Sequence, residues 1–332
     1  MKLVIQIPCY NEAETLARTV EDLPRQLTGF SSVELVVIDD GSTDGTAELA
    51  RRLGVDCVVS HSRNRGLATA FATGLRTGLE MGADIIVNTD GDHQYRGASI
   101  PALVEPILRG EADMVVGDRQ VRGIAHFSGT KKLLQRLGSW VVRWISGTEV
   151  IDATSGFRAI SREAALQLTV FSTYTYTLDT IIQAGKKGLT LISVPVETNE
   201  QLRDSRLIRS VPRYVLRSTV TILRIFLMYE PLRIFAMLSM LPGLAGLVLL
   251  LRYFYFFLIG QGSGHIQSVI AGSALGILAF QVFLLGLLSD LIARNRRLTE
   301  DMTYHIRRMT YDRAAQRLPT TPSPNPDIEA VD

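Results

Sequence analysis

Two aspartates, Asp90 and Asp92, stand on either side of a glycine directly after the apolar run Ile85-Ile86-Val87. Two like charges this close together at the end of a predicted buried strand either solvate a turn or hold a cation between them. Carboxylate oxygens bind Mg²⁺ and Mn²⁺, and Gln94 can add a carbonyl oxygen on the same side of an extended segment. The stretch VNTDGDHQY (87 to 95) therefore predicts either a turn or a divalent-metal site.

Polar clusters also follow two other predicted strands. The segment Pro8-Cys9-Tyr10-Asn11-Glu12 follows the first strand, and Asp39-Asp40-Gly41-Ser42 ends the second. In an open parallel sheet, ligands bind outside the carboxyl ends of the strands. Three polar clusters at one sheet edge favour a single site over three unrelated solvated turns.

The first 120 residues alternate short apolar runs with helix-length segments, which predicts a mostly parallel α/β sheet covered on both faces. The predicted strands are Leu3 to Ile7, Val33 to Asp39, Asp56 to Ser60, Ala83 to Asn88 and Met114 to Gly117. The predicted helices are Glu12 to Leu27, Asp44 to Leu53, Leu67 to Met81 and Ser99 to Arg109. Without a Gly-x-Gly-x-x-Gly after the first strand, a Walker motif or a Gly-x-Ser-x-Gly elbow, the sequence lacks the usual dinucleotide, P-loop and serine-hydrolase signatures.

Composition limits the partners. The 332 residues include 35 Lys+Arg and 33 Asp+Glu, a net charge of +2, so nothing indicates nucleic-acid binding. Two cysteines, Cys9 and Cys57, exclude a disulfide scaffold and suit a reducing compartment. The opening apolar run is broken by Pro8 too early for a signal peptide, so we expect the N-terminal half in the cytosol.

Two long apolar stretches near the C-terminus predict a transmembrane hairpin. Ile234 to Ile259 and Val269 to Ala293 each contain one charged residue and are long enough to cross roughly 30 Å of hydrocarbon. The connector, residues 260 to 268, has no Lys or Arg, whereas Arg294, Arg296 and Arg297 follow the second stretch. The positive-inside rule then predicts that both termini are cytoplasmic.

Two further segments carry helical periodicity. Residues 127 to 145 predict an amphipathic helix with Trp140 and Trp144 on its apolar stripe, which suits either a membrane interface or packing on the sheet. Four arginines, at positions 209, 213, 217 and 224, span about 80° of a second helix and form a face suited to anionic lipid. The proline-rich tail from Pro319 onward predicts disorder.

Several motifs resemble a known family. Pro8 to Glu12, Val37 to Asp44 and Asp90 to Gln94 resemble the family-2 glycosyltransferases of GT-A fold. Asp152 to Arg158 and the C-terminal hairpin are similar to its polyprenyl- and dolichyl-phosphate sugar synthase branch, the dolichol-phosphate mannose synthase-like enzymes. The resemblance implies a GT-A domain (1–200), amphipathic juxtamembrane helices (201–231), two transmembrane helices (232–293) and a cytosolic tail (294–332).

The resemblance also implies a role for individual residues. Nucleotide contacts fall to Pro8, Tyr10, Glu12 and Asp39. The metal and diphosphate motif, with Mg²⁺ or Mn²⁺ as cofactor, falls to Asp90, Asp92 and Gln94, and Asp90, Asp92 and Arg119 form the catalytic set. Contacts to the acceptor phosphate fall to Arg119, and further phosphate contacts to Lys131, Lys132, Arg203 and Arg206.

The sequence departs from the family pattern at two places. The loop Leu202-Arg203-Asp204-Ser205-Arg206 keeps basic residues and a serine but lacks the usual glycine. Gly156 occupies a position where some glucose-transferring relatives have an aspartate, so no base is available there. A lipid monophosphate is already anionic at neutral pH, however, and needs no deprotonation to attack the sugar C1.

These features predict metal-dependent, inverting transfer of a sugar from a nucleotide-diphosphate sugar to polyprenyl monophosphate at the cytosolic face of a membrane. Two alternatives stay open: a membrane glycosyltransferase that elongates a polysaccharide or glycolipid, and an inactive nucleotide-sugar-binding protein. The processive synthases carry Gln-x-x-Arg-Trp, and Arg143-Trp144 lacks that glutamine. Membrane lipids are expected partners, a homo-oligomer stays open, and the sequence specifies neither sugar, base nor polyprenol length.

Overall fold

The structure, a computed structural model, describes residues 1–119, 143, 146–170, 176–199, 227 and 229–317, with side chains to residue 311. The chain divides into two compact units. The first comprises residues 1–209 and 303–332, and the second comprises residues 210–302.

The first unit is built on a seven-stranded sheet in the order β3-β2-β1-β4-β6-β5-β7. All neighbours are parallel except β6, which runs antiparallel to both β4 and β5. The strands are β1 (Lys2–Cys9), β2 (Ser32–Asp39), β3 (Cys57–Ser60), β4 (Ile85–Asn88), β5 (Met114–Asp118), β6 (Arg158–Ser161) and β7 (Leu191–Pro195). The predicted mostly parallel sheet is therefore confirmed, and all five predicted strands are present.

Helices cover this sheet. They are α1 (Leu16–Asp22), α2 (Thr46–Arg52), α3 (Leu67–Glu80), α4 (Ile100–Leu108), α5 (Arg162–Gln167) and α6 (Thr177–Lys186). The main apolar core includes side chains of β1, β2, β4, α1 and α4. Helix α3 approaches the sheet very closely, because a Cβ added to Gly74 would lie 2.3 Å from Oε1 of Gln6 in β1.

Helix α1 is shorter than the segment Glu12 to Leu27 that the periodicity predicts. The chain first makes a turn in which Thr15 N donates to Glu12 O, and the helix begins at Leu16. At its other end Leu23 is extended, with ψ of 137°. The following residue, Pro24, disfavours a helical conformation at Leu23, which explains the early end.

The second unit contains helix α7 (Pro231–Leu258) and the part of helix α8 (Ile266–Arg317) up to residue 302, joined by a 3₁₀ turn at Gly262–His265. They pack tightly, because a Cβ added to Gly246 would lie 2.9 Å from Gly272 O. By length and composition both could cross a membrane, and only 6% of the most apolar window of each is buried. Helix α8 continues past the predicted span, and its Arg307, in the first unit, donates to Leu168 O at 2.8 Å.

Candidate active site

The predicted site residues lie where the sheet topology puts them, at one edge. Strands β1, β2, β4 and β5 end at this edge, and β6 begins there because it is antiparallel. The register pairs Asn88, the last residue of β4, with Arg158, the first residue of β6. The loops that follow four strands and the loop that precedes β6 therefore surround one region.

The carboxylate pair follows β4 in a loop that is fixed from behind. Gly91 O accepts hydrogen bonds from Thr15 Oγ1 at 2.8 Å and Thr19 Oγ1 at 3.2 Å. A Cβ added to Gly91 would lie 2.8 Å from Cys9 Sγ. The glycine between the two aspartates is thus fixed by hydrogen bonds from the start of α1 and by close packing against β1. Only a glycine fits there.

Electrostatics at this loop favour a cation. Asp90 keeps some accessible surface but is densely surrounded by protein, and this desolvation, followed by the charge of Asp92, raises the pKa of Asp90 to about 7. The described residues contain no group of three or more His, Cys, Asp and Glu that could bind a metal. The two carboxylates with the amide of Gln94 form an all-oxygen donor set, which fits Mg²⁺ or Mn²⁺ and does not suggest zinc.

Hydrogen bonds connect the loops after β1 and β2. Asn11, in the left-handed region with φ of 54°, donates from its N to Ser42 Oγ at 2.9 Å, and its Oδ1 accepts from Thr43 N at 2.9 Å. Asp39 is 4% exposed, and its Oδ1 accepts from Ser42 N at 3.0 Å. Among the predicted nucleotide contacts, Tyr10 is 41% exposed beside this junction. Pro8 is buried within β1.

Asp40 has a role that the sequence analysis missed. Its carboxylate lies 2.7 Å from His61 Nδ1 and accepts from Arg65 N at 2.9 Å and Gly66 N at 2.8 Å. His61 Nε2 lies 3.0 Å from Thr73 Oγ1 in α3. Asp40 thus fixes the loop of residues 61–66 against the end of β2, and the only sequence signal was its position beside Asp39.

Arg158 is a second site-forming residue that sequence reasoning left without a role. It is fully buried and donates to Ser155 O at 2.9 Å, Thr180 Oγ1 at 2.6 Å and Ala153 O at 3.2 Å. Burial lowers the pKa of its guanidinium to about 10, which leaves it charged at neutral pH. The buried cation fixes the loop 153–156 and adds positive potential near Asp90.

Gly156 lies directly against the carboxylate pair. A Cβ at this position would be 3.0 Å from both carboxyl oxygens of Asp90 and 2.8 Å from the hydroxyl of Tyr176. That hydroxyl accepts from Asn88 Nδ2 at 2.9 Å, and the Tyr176 ring stacks on Phe71 at 3.8 Å. The described structure therefore has no space for a carboxylate side chain at position 156.

Arg119 follows β5 and is held by the loop before β6. Its Nη2 donates to Thr154 Oγ1 at 2.7 Å, and its Nε donates to Asp152 Oδ2 at 2.7 Å. Burial by itself would raise the pKa of Asp152, but the Arg119 guanidinium outweighs it and keeps that pKa below its ordinary value. None of these bonds involves Nη1 of Arg119.

Several predicted features lie outside the described residues. These are the phosphate contacts Lys131, Lys132, Arg203 and Arg206, nearly all of the amphipathic helix 127–145, the basic face at positions 209, 213, 217 and 224, and the tail from Pro319. The predicted site residues that the structure does describe are Pro8, Tyr10, Glu12, Asp39, Asp90, Asp92, Gln94 and Arg119.

Comparison with known proteins gives consistent matches. The model of the family "Glycosyl transferase family 2" matches residues 4–168. The undecaprenyl-phosphate mannosyltransferase of Micrococcus luteus is 30% identical over 206 residues, 59% of this chain and 83% of that protein. Glycosyltransferase AglJ of Haloferax volcanii is 30% identical over 309 residues, 87% of this chain and 92% of that protein.

The fold also matches solved structures. Glucosyl-3-phosphoglycerate synthase from Mycobacterium tuberculosis, in complex with Mn²⁺, uridine diphosphate and glucosyl-3-phosphoglycerate, superposes with a TM-score of 0.51 at 23% identity. The match covers 67% of this chain and 79% of that chain. The predicted GT-A-like sheet is thus shared with this experimental structure.

Proposed function

Because the chain belongs to glycosyl transferase family 2, we propose that it transfers a sugar from a nucleoside-diphosphate donor to a polyprenyl monophosphate. The relatives that support this acceptor include the mannosyltransferase of Micrococcus luteus, whose name specifies undecaprenyl phosphate. A polyprenol monophosphomannose synthase of Mycolicibacterium smegmatis is 27% identical over 78% of that protein.

The observation that carries the proposal is the carboxylate pair at the sheet edge. Asp90 and Asp92 lie at the edge where Asp39 ends β2, so one nucleotide-diphosphate can reach both positions. We assign Asp90, Asp92 and Gln94 to the metal, and Tyr10, Glu12 and Asp39 to the nucleotide. When bound, Mg²⁺ or Mn²⁺ supplies positive charge that offsets the charge of the leaving diphosphate.

The acceptor side fits an anionic nucleophile. A Cβ at Gly156 would already collide with Asp90, so a general base has no place there. A phosphate monoester is largely ionised at neutral pH, and alignment and charge stabilisation are then the main requirements. We assign Arg119 to the acceptor phosphate through Nη1, since its other nitrogens bond Asp152 and Thr154. The proposed outcome is a single displacement with inversion at C1.

Two long apolar helices support a membrane-bound acceptor. Many of their large apolar side chains are exposed, such as Leu241 at 78% and Met237 at 75%. A core helix of a soluble domain would bury such residues, whereas lipid covers them without a protein partner. We therefore propose that α7 and α8 span the membrane. The N-terminus of α7 and the C-terminus of α8 then lie on the cytosolic side.

A transfer assay tests the proposed function. The full chain in membranes is given a panel of radiolabelled GDP- and UDP-sugars, Mn²⁺ or Mg²⁺, and polyprenyl monophosphate. We expect label in the lipid fraction and release of nucleoside diphosphate, both abolished by a chelator or by omission of the lipid phosphate. Donor binding with no transfer under any combination would support the inactive binding protein instead.

A further inference from the structure

One residue of the loop after β4 that carries the proposed metal ligands, residues 90–94, has an unusual backbone conformation; this loop is called the metal loop. His93 lies between the proposed ligands Asp92 and Gln94 and has φ of 58°, in the left-handed region. A side chain other than glycine makes this conformation cost about 1 kcal/mol or more, so surrounding contacts must stabilise it. The loop therefore needs an external support.

Asn199, in the segment that follows β7, supplies this support. Its Nδ2 donates to His93 O at 3.0 Å and lies 3.2 Å from His93 Nε2. Its backbone N donates to Gln94 O at 2.9 Å. One residue thus bonds the strained residue of the loop at two atoms and the next residue at a third.

The orientation of the Asn199 amide follows from its neighbour. Arg96 Nε lies 3.1 Å from Asn199 Oδ1, and an arginine nitrogen can only donate. The oxygen must therefore face Arg96, which leaves both protons of Nδ2 for His93. One of these protons is directed at Nε2 of His93, 3.2 Å away. Asn199 thus faces both the backbone oxygen and the ring of His93.

We propose that Asn199 is a positioning residue for the divalent cation, acting through the backbone of His93 and Gln94. The inference rests on the proposed function, which assigns Asp92 and Gln94 to the metal. The hydrogen bonds from Asn199 to His93 and Gln94 align the Gln94 side chain with Asp92. Oδ1 of Asp92 also accepts from Gln94 N at 3.2 Å. Asn199 itself contacts neither metal nor substrate, and residues of this kind typically contribute about tenfold or more to metal affinity.

The same two segments offer a matched control. Arg96 and Glu197 form an ion pair between them, with side chains 53% and 72% exposed, and the pair uses Nη1 of Arg96, whereas Nε of Arg96 bonds Asn199. An exposed pair of this kind contributes little to stability. Glu197→Gln therefore removes the charge of this pair, and its amide oxygen can still accept from Arg96, so the bond from Arg96 Nε to Asn199 is kept.

Mn²⁺ binding to the full chain, measured by electron paramagnetic resonance without donor or acceptor, tests the inference. We expect Asn199→Ala to weaken Mn²⁺ binding about tenfold. The Mn²⁺ affinity of Asn199→Ser, which keeps one donor in a small side chain, should fall between those of the wild type and Asn199→Ala. Glu197→Gln should bind Mn²⁺ as the wild type does. In transfer assays the Asn199→Ala defect should lie in the apparent KM for Mn²⁺, with kcat recovering at saturating metal.

His93→Gly separates positioning from general stability. Glycine adopts positive φ without strain, so the double variant His93→Gly/Asn199→Ala should regain much of the lost Mn²⁺ affinity. A merely structural Asn199 would lower the melting temperature with Mn²⁺ affinity unchanged, and that result overturns the inference while leaving the proposed function intact. A wild-type chain that binds no Mn²⁺ or Mg²⁺ would overturn the metal assignment and this inference together.

Discussion

The guanidinium of Arg119 donates two hydrogen bonds to the carboxylate of Asp152, from Nε to Oδ2 at 2.7 Å and from Nη2 to Oδ1 at 3.1 Å. Asp152 begins the loop that brings Gly156 against Asp90, so the pair joins the end of β5 to the region of the carboxylates. The two side chains are only 16% and 2% exposed. Removing one charge therefore leaves the other buried and uncompensated.

This pair gives the first prediction. Arg119→Ala should lower the free energy of unfolding by about 3 kcal/mol, because breaking a buried pair strands a charge. The double variant Arg119→Ala/Asp152→Ala should lose less than the sum of the two single variants. Urea denaturation of the four proteins measures the coupling, and simple additivity would show that the two side chains do not stabilise the loop as a pair.

Asp92→Asn should reduce turnover by about a hundredfold or more and leave the unfolding transition nearly unchanged. The amide keeps the shape of the side chain but removes one of the two charges that attract the cation. Asp56→Asn is the matched control, because Asp56 precedes β3 at the opposite end of the strands and its side chain is 39% exposed. If the Asp92→Asn variant transferred sugar at the wild-type rate with saturating Mn²⁺, the assignment of Asp92 as a metal ligand would be disproved.

The affinity for Mn²⁺ should depend on pH. Burial and then the charge of Asp92 raise the pKa of Asp90 to about 7. Below that pH a proton occupies the carboxyl and competes with the cation, so affinity should fall by up to about tenfold per pH unit on acidification and level off above about 7.5. Binding measured across this range, together with proton release in two calorimetry buffers, checks the sign. A dissociation constant independent of pH would argue against Asp90 as a ligand.

Gly156→Ala should impair activity more than stability. The added methyl would lie 3.0 Å from the Asp90 carboxyl oxygens and 2.8 Å from the Tyr176 hydroxyl, so one of these groups must shift. Overpacking of this kind costs about 1 to 3 kcal/mol, and displacement of Asp90 should also weaken Mn²⁺ binding. Gly264→Ala is a suitable control, because no atom lies within 4 Å of its added Cβ. Full activity in the Gly156→Ala variant would show that the site tolerates movement of Asp90.

The sequence predicts the parallel part of the sheet because β1, β2 and β4 are continuous apolar runs that end in polar residues. It does not predict β6, a strand of four residues, Arg158–Ser161, whose composition carries no alternation. The family resemblance is confirmed by the matches to glycosyl transferase family 2. The individual site roles stay predictions.

Local sequence could not reveal the supports behind the site. Asp40 with His61, Arg158 with Thr180, and Asn199 with His93 act across separations of 21, 22 and 106 residues. Asp40 meets His61 because β2 pairs with β3, whereas Asn199 reaches His93 only because the sheet order places β6, β5 and β7 beside β4. The groups predicted to face a ligand could therefore be recognised from motifs, whereas the groups that position them depend on tertiary packing.

The last prediction concerns membrane topology. Helices α7 and α8 are joined by the turn at Gly262–His265, and the connector contains no Lys or Arg, whereas Arg294, Arg296 and Arg297 follow the apolar part of α8. The positive-inside rule puts these arginines in the cytoplasm and the turn on the other side. In intact cells a cysteine at Ser263 should react with an impermeant thiol reagent, and a cysteine at Thr299 should react only after permeabilisation. Native Cys9 is buried and Cys57 partly buried, so the unmodified chain provides the background. Labelling at position 299 from outside would mean that the helices do not form a cytosol-facing hairpin, and transfer to a lipid phosphate at the cytosolic face would have to be abandoned.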